Sequence, residues 1–362
     1  MAFSIPIVIK VFSRHCEISD LTEHQWNLLI SQARKAMLLA ELYYLAEQQQ
    51  ILKTIPITIY RHLKSAQVHS EKQQNDLACE LFHLIKVSKN LGYRLVLLKG
   101  AAYSATGLKA ARGRIFSDID VLVSYEKITI TEAELMLNGW ASSKKDAYDQ
   151  QYYRKWMHEI PAMQHMFRGS IIDLHHNILP RTVKACPNAK LLLANIVDID
   201  GYKGLCVLDF VDQIIHSATH LFYDGELEHG CRDLIDLYNL LTQYLNNGNS
   251  INSLVERSNE LGLQKPVFYA LRYVYIILGF YVEADIFTKF NSNTPSKLIM
   301  PIMDFLFIRA LMPDHISCND SWTELARWVL YIRSHWLRMP IYQLIPHLFR
   351  KSYKRITSKE KY

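Results

Sequence analysis

The chain has 362 residues, 49% of them hydrophobic and 11% aromatic, and carries a net charge of +6. This apolar content excludes a disordered protein, and the length allows one to three domains. The mild basicity is compatible with a phosphate-bearing partner but too weak to define one.

The first residues, "MAFSIPIVIKVFSRHCE", hold too short an apolar run, and no small-residue cleavage site, for a signal peptide, so we expect a cytoplasmic protein. "TEHQWNLLISQARKAMLLAELYYLAEQQ" has helical spacing with Thr22 as its N-cap, and "QNDLACELFHLIKVSKNLG" reads as a helix closed by Gly92. The period then changes. "YRLVLLKG" is a short strand stopping at Gly100, "DIDVLV" a second strand, and "TEAELMLNGW" a helix. "DQQYYRKWM" and "EIPAMQHMF" read as strands of a meander, and "SIIDLHHNI" as a further strand. From about residue 207 the helical period returns in a series of segments. The most apolar of these, "VFYALRYVYIILGFYV", is interrupted by Arg272 and falls short of the roughly 20 residues of a membrane span, so no transmembrane segment is expected. The six cysteines are scattered with no CxxC pair, which excludes a zinc ribbon or a redox dithiol on spacing. The expected fold class is α+β. Residues 1–92 form an N-terminal helical arm, 93–206 a small mixed-sheet core, 207–349 a C-terminal helical domain and 350–362 a basic tail.

Chemistry concentrates in "GRIFSDIDVLV". On a strand, residues i and i+2 face the same side, so Asp118 and Asp120 project together while Ile119 and Val121 face the core. Two carboxylates so close repel unless neutralised, and hard divalent cations such as Mg²⁺ (or Mn²⁺) are the usual solution. A third carboxylate from a neighbouring strand would complete such a site. Asp173 in "SIIDLHHNI" fits, either as a metal ligand or as acceptor of the proton from an attacking hydroxyl. Upstream, Gly100 permits close backbone approach to a phosphate. Lys99, with Arg112 or Arg114, supplies positive charge for a triphosphate, and Ser117 helps seat a phosphate. His175 shares the face of Asp173 by alternation and is a candidate for the acceptor side, against a structural hydrogen bond.

These residues resemble the nucleotidyltransferase superfamily of DNA polymerase β, whose pattern is a glycine after the first strand, an Asp-x-Asp/Glu on the next and a third acid on a later strand. The matching positions are Gly100, Asp118 with Asp120, and Asp173. More narrowly, "LLKGAAY", "RIFSDIDVLV" and "IDLHHNI" resemble a bacterial branch known as an uncharacterised nucleotidyltransferase family, and "CRDLIDLYNLL" is similar to the helical region that follows there. The chain departs from the superfamily in having Gly100–Ala101 where Gly-Ser or Gly-Gly is usual. The resemblance implies a nucleotidyltransferase core in the mixed sheet. It also implies transfer of a nucleotidyl group from an NTP, with ATP favoured, to an acceptor it does not name, with release of pyrophosphate. Asp118, Asp120 and Asp173 would be catalytic and metal-binding, and Lys99, Gly100, Arg114 and Ser117 would bind the nucleotide. The modest charge favours a small-molecule acceptor over protein or RNA.

Two other classes compete: a metal-dependent glycosyltransferase using a sugar nucleotide, and a non-catalytic nucleotide-binding scaffold. Elsewhere, His216 and His220 are spaced i, i+4 on a helix without the Glu of an HExxH motif, so packing against the core is the simpler reading. Arg232, Asp233 and Asp236 near a helix start are expected to cap it and form a surface ion pair, with Arg232 at the cleft as the alternative. Leu325 to Lys359 contains no acid and several Arg/Lys with Trp328 and Trp336. Its exposed part is either a solvated tail or makes weak contact with an anionic surface, a membrane or a nucleic acid.

Overall fold

The "TEHQ" start is a capping box: Thr22 Oγ1 accepts from the Gln25 backbone N–H, while the Gln25 side chain accepts from Thr22 N at 2.9 Å. The helix it opens, Glu23–Lys35, does not run on as its apolar period suggests. Met37 adopts a left-handed backbone (φ 58°), and Leu38 N–H returns to Ala33 O, which closes the helix before a second one begins at Leu39 and ends at Gln48. This break carries Glu41 under Gly113, whose φ of +85° and approach to the Glu41 backbone leave no room for a side chain. The next helix spans Ile57–Leu91, far longer than the segment expected from sequence, and ends at Gly92 in the left-handed conformation as read.

In this computed structural model, which describes residues 5–143, 146–223, 227–290 and 294–338, the fold is α+β around one mixed sheet. Its strands are β1 (Leu95–Leu97), β2 (Ile119–Leu122), β3 (Trp140–Ser142), β4 (Met163–His165), β5 (Ile171–His175), β6 (Ile196–Asp198) and β7 (Leu205–Leu208). Among the described residues their order is β3-β4-β5-β2-β1-β7-β6. β2 runs parallel to β5 and antiparallel to β1, and β1 runs parallel to β7. β1, β2 and β7 are buried at every position, as expected for strands covered on both faces.

Two sequence expectations are corrected here. "DQQYYRKWM" is not a strand. It lies largely in the Ala147–Trp156 helix, capped by the Asp146 carboxylate, which accepts from Tyr148 N at 2.9 Å; its aromatic content had suggested a strand. β6 and β7, which no alternating pattern announced, carry the sheet to Leu208, just past the expected 93–206 core. "EIPAMQHMF" contributes only β4.

The C-terminal helices begin with Phe210–Tyr223, almost wholly buried, and continue through Gly230–Asn246, Ile251–Glu260, Gln264–Leu278 and Met300–Ala310 to Thr323–Arg338. Phe222, Tyr269, Tyr273 and Phe307 pack their rings 5.1–5.9 Å apart at its centre. One apolar cluster runs continuously from Val8 to Leu330. Among the described residues, no helix is long and apolar enough to cross a membrane. The tail at 350–362 lies outside the described residues.

Candidate active site

β1 ends at Leu97, and Leu98 N–H still bonds the Asp120 carbonyl at 3.0 Å. The chain then turns sharply. Lys99 takes a left-handed backbone (φ 46°), uncommon for a residue with a side chain, and opens the short Lys99–Ala105 helix. The turn points the lysine across to β2, where Nζ lies 3.0 Å from Asp120 Oδ1. Gly100 follows directly. A Cβ there would stand 3.3 Å from Arg114 Nε and 3.4 Å from Phe116, so the glycine lets this segment pack closely against the 114–116 loop.

Asp120 and Asp173 are register partners on adjacent parallel strands, which puts their side chains on one face of the sheet. His175, two residues on, shares that face. It is buried and bonds Asp120 Oδ1 through Nε2 at 2.8 Å. His175 therefore stands behind Asp120 and holds it. Asp118 precedes β2, half-buried, and accepts from Ser117 Oγ at 3.3 Å.

Two residues that sequence reading missed join the group. Glu159 bridges to β5 at His175, with Oε2 3.5 Å from His175 Nε2, and His158 Nε2 lies 4.0 Å from the same oxygen. They sit between a helix and a strand with no periodicity to mark them, so only the tertiary fold shows their place.

The charges are unevenly balanced. Burial would raise the Asp120 carboxyl, but the Lys99 ammonium and His175 outweigh it and hold it well below the usual range. Lys99 is raised in turn: burial opposes its charge, and Asp120 more than compensates. His175 is raised against the effect of burial by its bond to Asp120 and the nearby Glu159. Asp173 has only His175 to lower it, and that is outweighed. Burial first, then Glu159, pushes its carboxyl up to about 7, and Oδ1 is buried without a hydrogen-bond partner among the described residues. Burial likewise raises Glu159 and pushes His158 well below its ordinary value, which His175 and Lys99 reinforce.

An unpartnered carboxylate oxygen amid three further acids is a donor set suited to a hard divalent cation such as Mg²⁺ or Mn²⁺. Among the described residues, the group whose donor atoms lie within 4.8 Å of one another is instead His158, Glu159 and His175, and His175 Nε2 already serves Asp120.

Lys99, Gly100, Arg114, Ser117, Asp118 and Asp120 all open onto one cavity of about 380 Å³. Asp173 and His175 lie outside its lining. Its far wall comes from the C-terminal helices through Ser217, His220, Arg232, Asp233 and Asp236. A neighbouring cavity of about 570 Å³ runs beside the Ile57–Leu91 helix and shares Gln73, Phe116, Ser117 and Asp118 with the first, so Asp118 stands between the two.

Arg114 is buried and ion-paired with Asp236, with Asp233 at 3.8 Å. Arg232 bonds Asp233 Oδ1 at 3.0 Å and the Ile115 carbonyl at 3.4 Å. The expected surface ion pair is thus corrected to a buried network that ties the helical region to the Asp118 loop. The pairing spans more than a hundred residues, which local patterning does not encode. Burial pushes nearby Glu41 up to about 8, against the pull of Arg114 and Arg232. His216 is buried and lowered by desolvation first, then by Lys99 and His220, while His220 lines the cavity.

A family model described as an uncharacterised nucleotidyltransferase matches residues 22–279, a span that includes every residue placed here in the cavity walls. No curated protein and no solved structure matches the chain.

Proposed function

The chain belongs to the uncharacterised nucleotidyltransferase family, and from that premise we propose that it moves a nucleotidyl group from an NTP, with ATP favoured, to a small hydroxylated or amino acceptor, releasing pyrophosphate in the manner of the DNA polymerase β superfamily. The observation that carries this reading is the register pairing of Asp120 with Asp173 on adjacent strands, with Asp118 and Asp120 lining a cavity that also holds Lys99.

Asp118, Asp120 and Asp173 are the residues we assign to Mg²⁺ or Mn²⁺. Asp120 Oδ1 is committed to Lys99 and His175, so Oδ2 is the atom it offers. When bound, such cations neutralise phosphate charge and stabilise the attacking and leaving oxygens. The chain's own residues do the rest. Lys99 presents an ammonium to the triphosphate from a backbone fixed by the turn. Gly100 lets the phosphates approach its amide, and Ser117 orients Asp118. Arg114 and Arg232 line the cavity from within their pairs with Asp236 and Asp233, so they would reach the phosphates only from that network. His175 keeps Asp120 ionised and in place. Asp173, as a carboxyl that ionises near neutrality, is suited to take the acceptor's proton where it does not ligate.

The engagement of Asp120 by Lys99 and His175 also favours one alternative, a scaffold that binds nucleotide without turnover. Incubation with α-labelled NTPs and a panel of small acceptors, with and without Mg²⁺, separates the two. We expect label on an acceptor and stoichiometric pyrophosphate, both dependent on the metal. Calorimetric binding of ATP with no transfer to any acceptor supports the scaffold instead, and binding of UDP-sugars in preference to ATP rejects both.

A further inference from the structure

The Thr323–Arg338 helix is held to the body by one face and bare on the other. Thr323, Ala326, Leu330 and Ser334 are buried. Arg327 bonds Asp314 at 2.5 Å, Arg333 the Phe222 carbonyl at 3.1 Å and Arg338 the Tyr223 carbonyl at 3.0 Å. The outer face carries Trp322, Leu325, Trp328, Ile332 and Trp336, each 40–61% exposed. Their spacing of three and four residues makes one stripe. It continues onto the Met300–Ala310 helix, where the Phe305 ring lies 6.1 Å from Trp322 and Ile302 is 59% exposed. All of this lies beyond the 22–279 span that matches the family.

We propose that this stripe docks on an anionic lipid surface, a property separate from nucleotidyl transfer. Indoles interleaved with Leu and Ile suit the bilayer interface, where the ring is buried and its N–H stays wet. The sequence then supplies the charge. Residues 339–362, outside the described structure, contain Arg350, Lys351, Lys354, Arg355, Lys359 and Lys361 against a single acid, Glu360. After the apolar stretch 339–349, the basic residues from Arg350 onward complement anionic headgroups. The aliphatic positions argue against RNA, whose single strands are gripped by stacking and by cations on the contact face itself.

The test is flotation of the full chain with vesicles of phosphatidylcholine alone and of phosphatidylcholine mixed with phosphatidylglycerol. We expect partitioning into the anionic vesicles, weakened but not abolished by salt, and a blue shift of indole fluorescence that neutral vesicles do not produce. The double substitution Trp328→Ala, Trp336→Ala should lower the partition coefficient by about tenfold or more with no change in melting temperature, since both rings point outward. The fluorescence readout requires no substitution and stands even if that variant folds poorly. Equal partitioning into both vesicle types, no partitioning, or undiminished partitioning of a folded double variant overturns the proposal. So does tighter binding to single-stranded RNA, or a dimer that the same double substitution dissolves.

Discussion

Asp120 and Asp118 stand two residues apart but in different surroundings, and their substitutions should separate accordingly. Asp118 is half-buried and bonded to Ser117. Asp118→Asn is expected to lower transfer by about a hundredfold or more while leaving the melting temperature unchanged. Asp120 is buried beneath Lys99 and His175. Asp120→Asn should cost both activity and about 3 kcal/mol of stability, because it leaves the buried Lys99 ammonium and the His175 ring without their carboxylate. Urea denaturation beside an activity assay checks both, and equal stability of the two variants would refute the assignment of Asp120 as the charge anchor. The shared face of Asp120 and Asp173 was legible because strand alternation and pairing fix it, whereas Asp118 lies just before β2. Glu159, His158 and the Arg114–Asp236 pair were not, because their meaning lies in contacts between distant segments. His175 was legible as a neighbour of Asp173, and its bond to Asp120 was not.

At the scale of elements, capping chemistry read well and helix continuity did not. Thr22 and Gly92 mark ends that the structure keeps. The break at Met37 left no signal, since a left-handed methionine follows from the need to carry Glu41 under the Gly113 turn. Gly113→Ala should therefore destabilise by about 2 kcal/mol or more: its φ is left-handed, and the added Cβ would stand 2.5 Å from Glu41 N. A circular-dichroism melt checks this, and an unchanged midpoint would show that the two loops can separate freely. The aromatic run in 148–156 misled because Tyr and Trp favour strands on average, whereas the Asp146 cap and the packing of the segment decide for helix here.

The molecule as a whole should carry the electrostatic imbalance of its site into its stability. Asp173 is raised from 3.8 to about 7, so between those values the folded state holds a proton that the unfolded chain releases. Its contribution is therefore favourable at low pH and is lost as pH rises through about 7, and Glu159 acts in the same direction. In chelator-treated samples we expect the melting temperature to fall between about pH 5 and pH 8, and Asp173→Asn to flatten that fall. Added Mg²⁺ should raise the melting temperature more at the upper end of that range than at the lower, because ligation requires the deprotonated carboxylate. A magnesium response independent of pH would remove Asp173 from the ligand set. The pairing of β2 with β5 has one more consequence. Alternation along a strand means that a shift of a single position would carry Asp173 to the opposite side of the sheet, leaving helix content and bulk compactness almost untouched. Specific activity would then count correctly threaded molecules in a refolded or heterologously expressed batch, where spectroscopic measures of folding would pass the misthreaded ones as native.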